Sequence, residues 1–503
     1  MSAFHCKSAS ISCLPKKRDK VKVFYQSSLF IWFFGFALFA LSGCYSEKKG
    51  EAEHNNVSFY DDNLDVLETR SIMRGTTINP SNIRSGSWYK AGENASTTSH
   101  QLRGDVNFYA SPSVFEINDE SGLKEVNATC GTTSKHILLN DIALTSEWKP
   151  LCSAAADKRF VGILNGNARK ITGLQIDSDE NYIGLFKYIG AYGVVKNLGV
   201  IIANDKEING SQYVGAIAGY IDGGLVENSY AEGNVSGAYG YIGGIAGYVN
   251  VGSIKRSYSE GNVSGSGSGI GGLVGRLEGS SIADSYSKGY IAGYGDNNQM
   301  VGGIAGQAYG GGGSIKRSYS EGNVSGAQRI GGIAGYIDGA TIENVYSVGD
   351  VDGNNSVGGI AGYVNVGSIR YSYSEGNVSG DGNVSGIVGY IYSGAISNNA
   401  AINEKITGNA DVNRIVGNRN SGTVDNNFAL ETMIVVGSGA NGNAGTNKPQ
   451  AQLKTREAYE NATNNNGLGW KFGNDDESPW VWGAFSGYPY PTLYWQTKSL
   501  SRY

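Results

Sequence analysis

The sequence predicts an all-β protein: a parallel β-solenoid, or β-helix, of coils of about 28 residues with non-repeat caps at its N- and C-terminal ends. Three observations predict it. A six-residue block recurs at near-constant spacing through the middle of the chain. Glycine is plentiful (76 of 503 residues), while proline is scarce at 8 and tyrosine abundant at 32. Glycine shows no three-residue period, which excludes collagen and leaves short strands with tight turns. Aligned copies also preserve aliphatic and tyrosine columns, as stacked coils would require.

The N-terminus reads as a lipoprotein signal peptide over residues 1–43. Leu29 to Leu41 is a 13-residue apolar run preceded by Lys16-Lys17-Arg18. A spanning helix needs about 20 such residues, so the run fits a signal region. Leu41-Ser42-Gly43-Cys44 resembles the bacterial lipobox, and the resemblance implies acylation of Cys44 and membrane attachment through that lipid. Residues 44–85 begin with a polar stretch and are read as a tether. Residues 86–210 are read as an N-terminal cap with lead-in coils. They hold Cys130 and Cys152, an even pair in an exported chain, which predicts a disulfide.

Residues 211–430 form the repeat region. The anchor block reads Val214-Gly-Ala-Ile-Ala-Gly219 and recurs from Ile242, Ile270, Val301, Ile330 and Val357, with weaker copies from Val384 and Val412. Its glycines are Gly215 and Gly219, Gly243 and Gly247, Gly271 and Gly275, Gly302 and Gly306, Gly331 and Gly335, Gly358 and Gly362, and Gly386 and Gly389. They are expected to permit close stacking and turns of positive φ. A second block, SIKRSYSEGNVSG from Ser253 and again from Ser314, follows the anchor. Glycine at this density opposes helix, at about 1 kcal/mol per residue relative to Ala.

Ile254, Ile282, Ile315, Ile342, Ile369, Ile396 and Val424 are always aliphatic and are expected inside. Tyr230, Tyr258, Tyr286, Tyr319, Tyr346 and Tyr373, continued by Ala400 and Phe428, are never charged and are placed mostly inward. Ser257, Ser285, Val345 and Asn399 vary and are placed outward. The charged pair between Ile254 and Tyr258 predicts a bend there. Residues 431–503 are read as an aromatic-rich cap over the raw edge of the last coil, since Trp470, Trp480, Trp482 and Trp495 fall there. Residues 451–461 are its best helix.

Gly272-Leu273-Val274-Gly275 is a literal GLUG motif, and the array resembles GLUG-repeat bacterial surface lipoproteins of adhesin-like type. The resemblance implies a cell-surface or outer-membrane location. It also implies an unknown protein or glycan ligand, a binding or presenting role, and adhesion to host or matrix. The alternatives are a β-helix carbohydrate-active enzyme and a purely structural envelope component.

The residues themselves offer little catalytic chemistry, and the expectation is a non-enzyme without cofactor or metal. Four scattered histidines and no HExxH argue against a zinc peptidase. Residues 44–503 carry 34 basic and 44 acidic residues, which argues against a nucleic-acid footprint. Gly267 to Gly272 fits GxGxxG but lies inside the repeats, and is read as a turn. Asp350 to Asn354 and Asp177 to Asn181 are partial calcium loops read as solvated turns. Arg103-Gly104-Asp105 matches an integrin tripeptide. Asn127, Asn209, Asn234, Asn262, Asn323, Asn354, Asn377 and Asn383 lie in extended bacterial N-glycosylation sequons. The acids Glu232, Glu260, Glu321 and Glu375 form a regular column, and none stands out as half of a catalytic pair.

Overall fold

The computed structural model describes residues 54–503 except 85–86, 94–95, 296–298, 439–444, 461–466 and 498–503. The expected signal peptide, residues 1–43, and Cys44 lie outside the described residues. About 11 turns of parallel coil stack through the described chain. One coil shows the pattern: Ala246–Asn250, Ser253–Lys255, Tyr258–Glu260, Val263–Gly265 and Gly269–Gly271. The first three strands join a 29-stranded sheet and the last two a 15-stranded sheet. Pairing between coils is parallel and in register, with Ile254 between Val226 and Ile282, and Tyr258 between Tyr230 and Tyr286. The coils start well before the repeats: Val114–Ile117 pairs with Lys135–Leu138, which pairs with Ile163–Leu174, and so on to Val194–Ile202. Cys130 and Cys152 are disulfide-bonded, with Cα atoms 5.6 Å apart.

The interior is one continuous aliphatic core. The Ile254 column is fully buried down to Ile396, and the anchor residues Ile245, Leu273, Ile304 and Ile333 lie beside it. Each such burial stabilises by about 1.5–3 kcal/mol. The bend after Ile254 is present. Arg256 has φ 47°, and the same left-handed corner recurs at Asn228, Asn344, Asn398 and Asn426. Asparagine tolerates that conformation better than most residues.

The corner reverses the facing of the two columns beside it. Ser257 and Ser285 are inside, at 1% and 0% exposure, and Val345 and Asn399 are likewise buried. The serine Oγ accepts from the previous coil: Ser229 N donates to Ser257 Oγ at 3.2 Å and Ser257 N to Ser285 Oγ at 3.2 Å. Asn399 and Asn427 continue the ladder through Oδ1. Variation there reflects exchange among residues that fit the interior, not solvent contact. Conversely, the tyrosines face outward. In Tyr258–Glu260 the middle residue, Ser259, is the buried one, so Tyr258 and Glu260 share the outer face. These rings stack on one another, at 4.8 Å for Tyr230–Tyr258 and 4.9 Å for Tyr346–Tyr373. Their uncharged character comes from stacking on that outer face.

Two terminal assignments also change. His54–Tyr60 and Val66–Met73, expected within the tether, form a sheet with Val106–Tyr109. The cause is alternation: Val57 and Phe59 point inward and pack with Trp88, Leu102 and Phe108. The Trp-rich C-terminal segment runs back along the side of the coils and covers the tyrosine ladder. Trp470 Nε1 donates to Asn398 O, Trp480 Nε1 to Asn344 Oδ1 and Trp495 Nε1 to Arg317 O. The helix expected at 451–461 is two short pieces, Gln450–Leu453 and Glu457–Glu460.

The anchor glycines serve close approach, and none of them has positive φ. A Cβ on Gly331 would lie 2.7 Å from Ala361 Cα in the next coil and closer still to Ala334 O. Positive φ falls instead at glycines outside the anchors, such as Gly233 and Gly261 in the Glu-Gly-Asn turns of two successive coils. Gly331→Ala should therefore destabilise by about 2 kcal/mol or more through overpacking, whereas Gly311→Ala, with nothing within 4 Å of its Cβ, should stay within about 0.5 kcal/mol. Urea unfolding of the two variants checks this.

Candidate functional site

The returning C-terminal segment leaves a cleft of about 550 Å³ against the outer face of the coils. Its floor is the outward position two residues beyond the tyrosine: Glu321, Val348 and Glu375 on three successive coils. One wall is Phe485, Tyr488, Thr492 and Trp495 from the returning segment. Tyr319, on which Trp495 stacks at 5.6 Å, and Lys288 complete the lining. The strand period of two places tyrosine and glutamate on the same face, and register brings their copies into line.

The acids of the column have different surroundings. Lys288 Nζ lies 3.1 Å from Glu321 and 4.0 Å from Glu260, and 5.1 Å from the centre of the Tyr286 ring. Glu375 sits under the returning segment, where burial raises its pKa. The hydrogen bond from Tyr488 (2.8 Å to Oε2) and the charge of Lys454 oppose that rise, while Glu404 adds to it. Burial and the neighbouring carboxylate push the Tyr488 hydroxyl well above its usual value. Thr492 is 3% exposed and its hydroxyl has no hydrogen-bond partner among the described residues. The returning segment is held by Tyr373 OH, which donates to Pro491 O at 3.0 Å, and by Gln496 Nε2, which donates to Tyr346 OH at 2.6 Å.

A second aromatic field lies at the outward positions around the anchors. Tyr188 and Tyr220 stack at 4.7 Å, Tyr220 meets Tyr248 edge-on at 4.6 Å, and the Arg276 guanidinium lies 4.2 Å from the Tyr309 ring centre. Arg276 is also paired with Glu278 at 2.7 Å, so this charge is already satisfied. A larger concavity, of about 900 Å³, is lined by Glu147, Asp177, Asp205 and Glu207 and has no aromatic wall.

The residues singled out in the sequence have structural partners. Asn234 Oδ1 accepts from Asn262 N at 3.0 Å, Asn262 Oδ1 from Tyr290 N at 3.0 Å and Asn323 Oδ1 from Asp350 N at 2.9 Å. Asn209 bridges Asp177 and Ser236, Asn127 Oδ1 accepts from Cys152 N, and Asn383 Nδ2 donates to Asn355. Asn354 and Asn377 are exposed, and Asn377 N donates to Asp350 Oδ1. Asp105 of the Arg-Gly-Asp tripeptide accepts from Asn56 N at 2.6 Å. The recurrent Lys and Arg positions pair across coils, as Lys316 and Arg370 do with Glu343. Among the described residues, no group of three His, Cys, Asp or Glu is placed to hold a metal ion. The sequence showed the Glu321 and Glu375 column. It did not show that Tyr488, Thr492 and Trp495 face that column, because the contact spans more than 100 residues and nothing local encodes it.

The shift of Glu375 has a stability consequence with a definite sign. Its pKa is raised in the folded state, so its favourable contribution is complete below the unfolded carboxyl pKa and is lost as pH rises through the folded value. Glu375→Gln keeps an acceptor for Tyr488 without the charge. It should melt higher than wild type at pH 7, and the two should melt together near pH 3. Calorimetry across that range checks it.

Comparison with known proteins adds the family motif. The GLUG motif matches residues 210–236, 266–291, 297–325 and 326–352. Halomucin of Haloquadratum walsbyi is 31% identical over 131 residues, which is 24% of this chain and 1% of halomucin. A protein named as a Gly-rich membrane protein of Evansella cellulosilytica is 37% identical over 103 residues, 19% of this chain and 12% of that protein. The chain thus matches only a small part of either relative. Among solved structures, one named for an immunoglobulin A1 protease of Bacteroides ovatus aligns over 76% of this chain and 93% of its own, at 20% identity and a TM-score of 0.32. Another, named IgA1 Protease, aligns over 73% of this chain and 26% of its own, at 14% identity and a TM-score of 0.35. Superpositions this loose transfer no activity. The chain carries GLUG-motif repeats, four copies between residues 210 and 352, on a parallel β-solenoid.

Proposed function

We propose that this is a bacterial surface lipoprotein whose solenoid is a rigid binding surface, anchored through acylated Cys44 and serving adhesion. The observation that carries the reading is the outer face. It repeats one set of side chains, tyrosine followed two residues later by glutamate in the Tyr230 and Tyr258 coils, which the returning segment leaves half-exposed, over a core in which residues such as Val226 and Ile254 are fully buried. Such a face presents fixed side chains without paying ordering entropy on contact. The relatives support a surface setting by their names, halomucin and a Gly-rich membrane protein.

A binding role fits the cleft better than catalysis. Glu321 and Glu375 are two coils apart, about 10 Å at the usual strand spacing. That is at the far edge of the roughly 6.5–9.5 Å of inverting glycosidases and well beyond the roughly 5–5.5 Å of retaining ones. Lys288 also occupies the Glu321 carboxylate.

The test is made on intact cells expressing the full chain. Labelled palmitate should enter the wild type and be absent from Cys44→Ala, and added protease should cleave the wild-type protein. Label persisting in Cys44→Ala would sink the anchor, and a fully protected chain would sink surface exposure.

A further inference from the structure

We propose that the cleft between the returning C-terminal segment and the glutamate column binds a neutral oligosaccharide, an inference that rests on the binding role above. The cleft has a volume of about 550 Å³, within the range of about 300–1,000 Å³ usual for small-molecule sites. It combines an exposed aromatic ring with polar groups that are only partly used. Phe485 stands at the rim with 42% exposure, while Tyr319 and Trp495, stacked on each other at 5.6 Å and both buried, give the cleft a rigid apolar back. A flat apolar ring exposed like that of Phe485 packs against the C–H face of a pyranose, while hydroxyls need acceptors and donors beside them.

Those partners are present. Glu375 accepts one hydrogen bond, from Tyr488, of the four or so that a carboxylate can take. The Thr492 hydroxyl is buried without a partner among the described residues, and such a group costs free energy until something bonds to it. Lys288 adds donors.

Charge narrows the class. An anionic ligand meets Glu321 and Glu375. A cationic ligand must displace Lys288, which already lies 3.1 Å from Glu321. A polyhydroxylated ligand without net charge satisfies donors and acceptors together.

The test uses the purified full chain and a panel of neutral di- and trisaccharides of glucose, galactose and N-acetylglucosamine, with matching hexuronates and amino sugars. Titration calorimetry should give one site per chain for at least one neutral member. Phe485→Ser and Glu321→Gln should each weaken binding about tenfold with an unchanged melting temperature. Tyr239→Ser, exposed at another face, should leave it intact. The proposal is overturned if no neutral member binds, if only charged sugars bind, or if binding survives both cleft substitutions. None of these outcomes bears on palmitate labelling or protease access, so failure here is separable from failure of the surface reading.

Discussion

The structure depends on the close approach of backbone to backbone at the anchor glycines. Parallel strands lie about 4.8 Å apart. At the anchors the chain also passes between the two sheets, and a side chain there would meet the neighbouring coil. A Cβ on Gly335 would stand 2.6 Å from Met300 C, and one on Gly302 2.7 Å from Ala334 Cα. Glycine at these positions lets every coil keep the same path, and the same path keeps every column in register.

Register then sets the surface. Because coils repeat, each outward residue sits above its own copy, and a tyrosine on its own copy gives a stack at the coil spacing. The stack is half-exposed at Tyr230 and Tyr258 and buried from Tyr286 to Tyr373. The difference is the returning segment, whose Trp495 stacks over Tyr286 and Tyr319 and whose Trp480 packs on Tyr346 and Tyr373. Trp470 stacks on Tyr373, next to the coil where Ala400 ends the tyrosine run. The cleft arises where this covering segment stands away from the neighbouring glutamate column.

Repetition made the coil legible in sequence. Eight copies of an anchor fix its length, and a column such as Ile254 to Ile396 identifies the core. Facing was harder to read, because composition alone does not place a serine. Ser257 looks like a surface residue, yet its hydroxyl is consumed between coils, donating to Lys255 O and accepting from Ser229 N. Tyr258 looks like a core residue, yet its stacking takes place on the outside. A one-residue corner in the left-handed region switches the faces, and Arg256 there gives no local hint of it. The terminal segments were least legible. Two inward residues, Val57 and Phe59, make a strand of a polar stretch only because Phe108 lies across from them.

The central claim is that the coil is the structural unit and that register carries the stability. Deleting residues 242–269 removes one 28-residue coil and joins Tyr241 to Ile270 in register. Deleting residues 242–255 removes half a coil and misaligns every column beyond it. Thermal unfolding followed by circular dichroism tests the claim most directly. It should show the 28-residue deletion melting cooperatively within a few degrees of the parent and the 14-residue deletion without a cooperative transition. Equal melting of the two deletions, or loss of the transition in both, would contradict it.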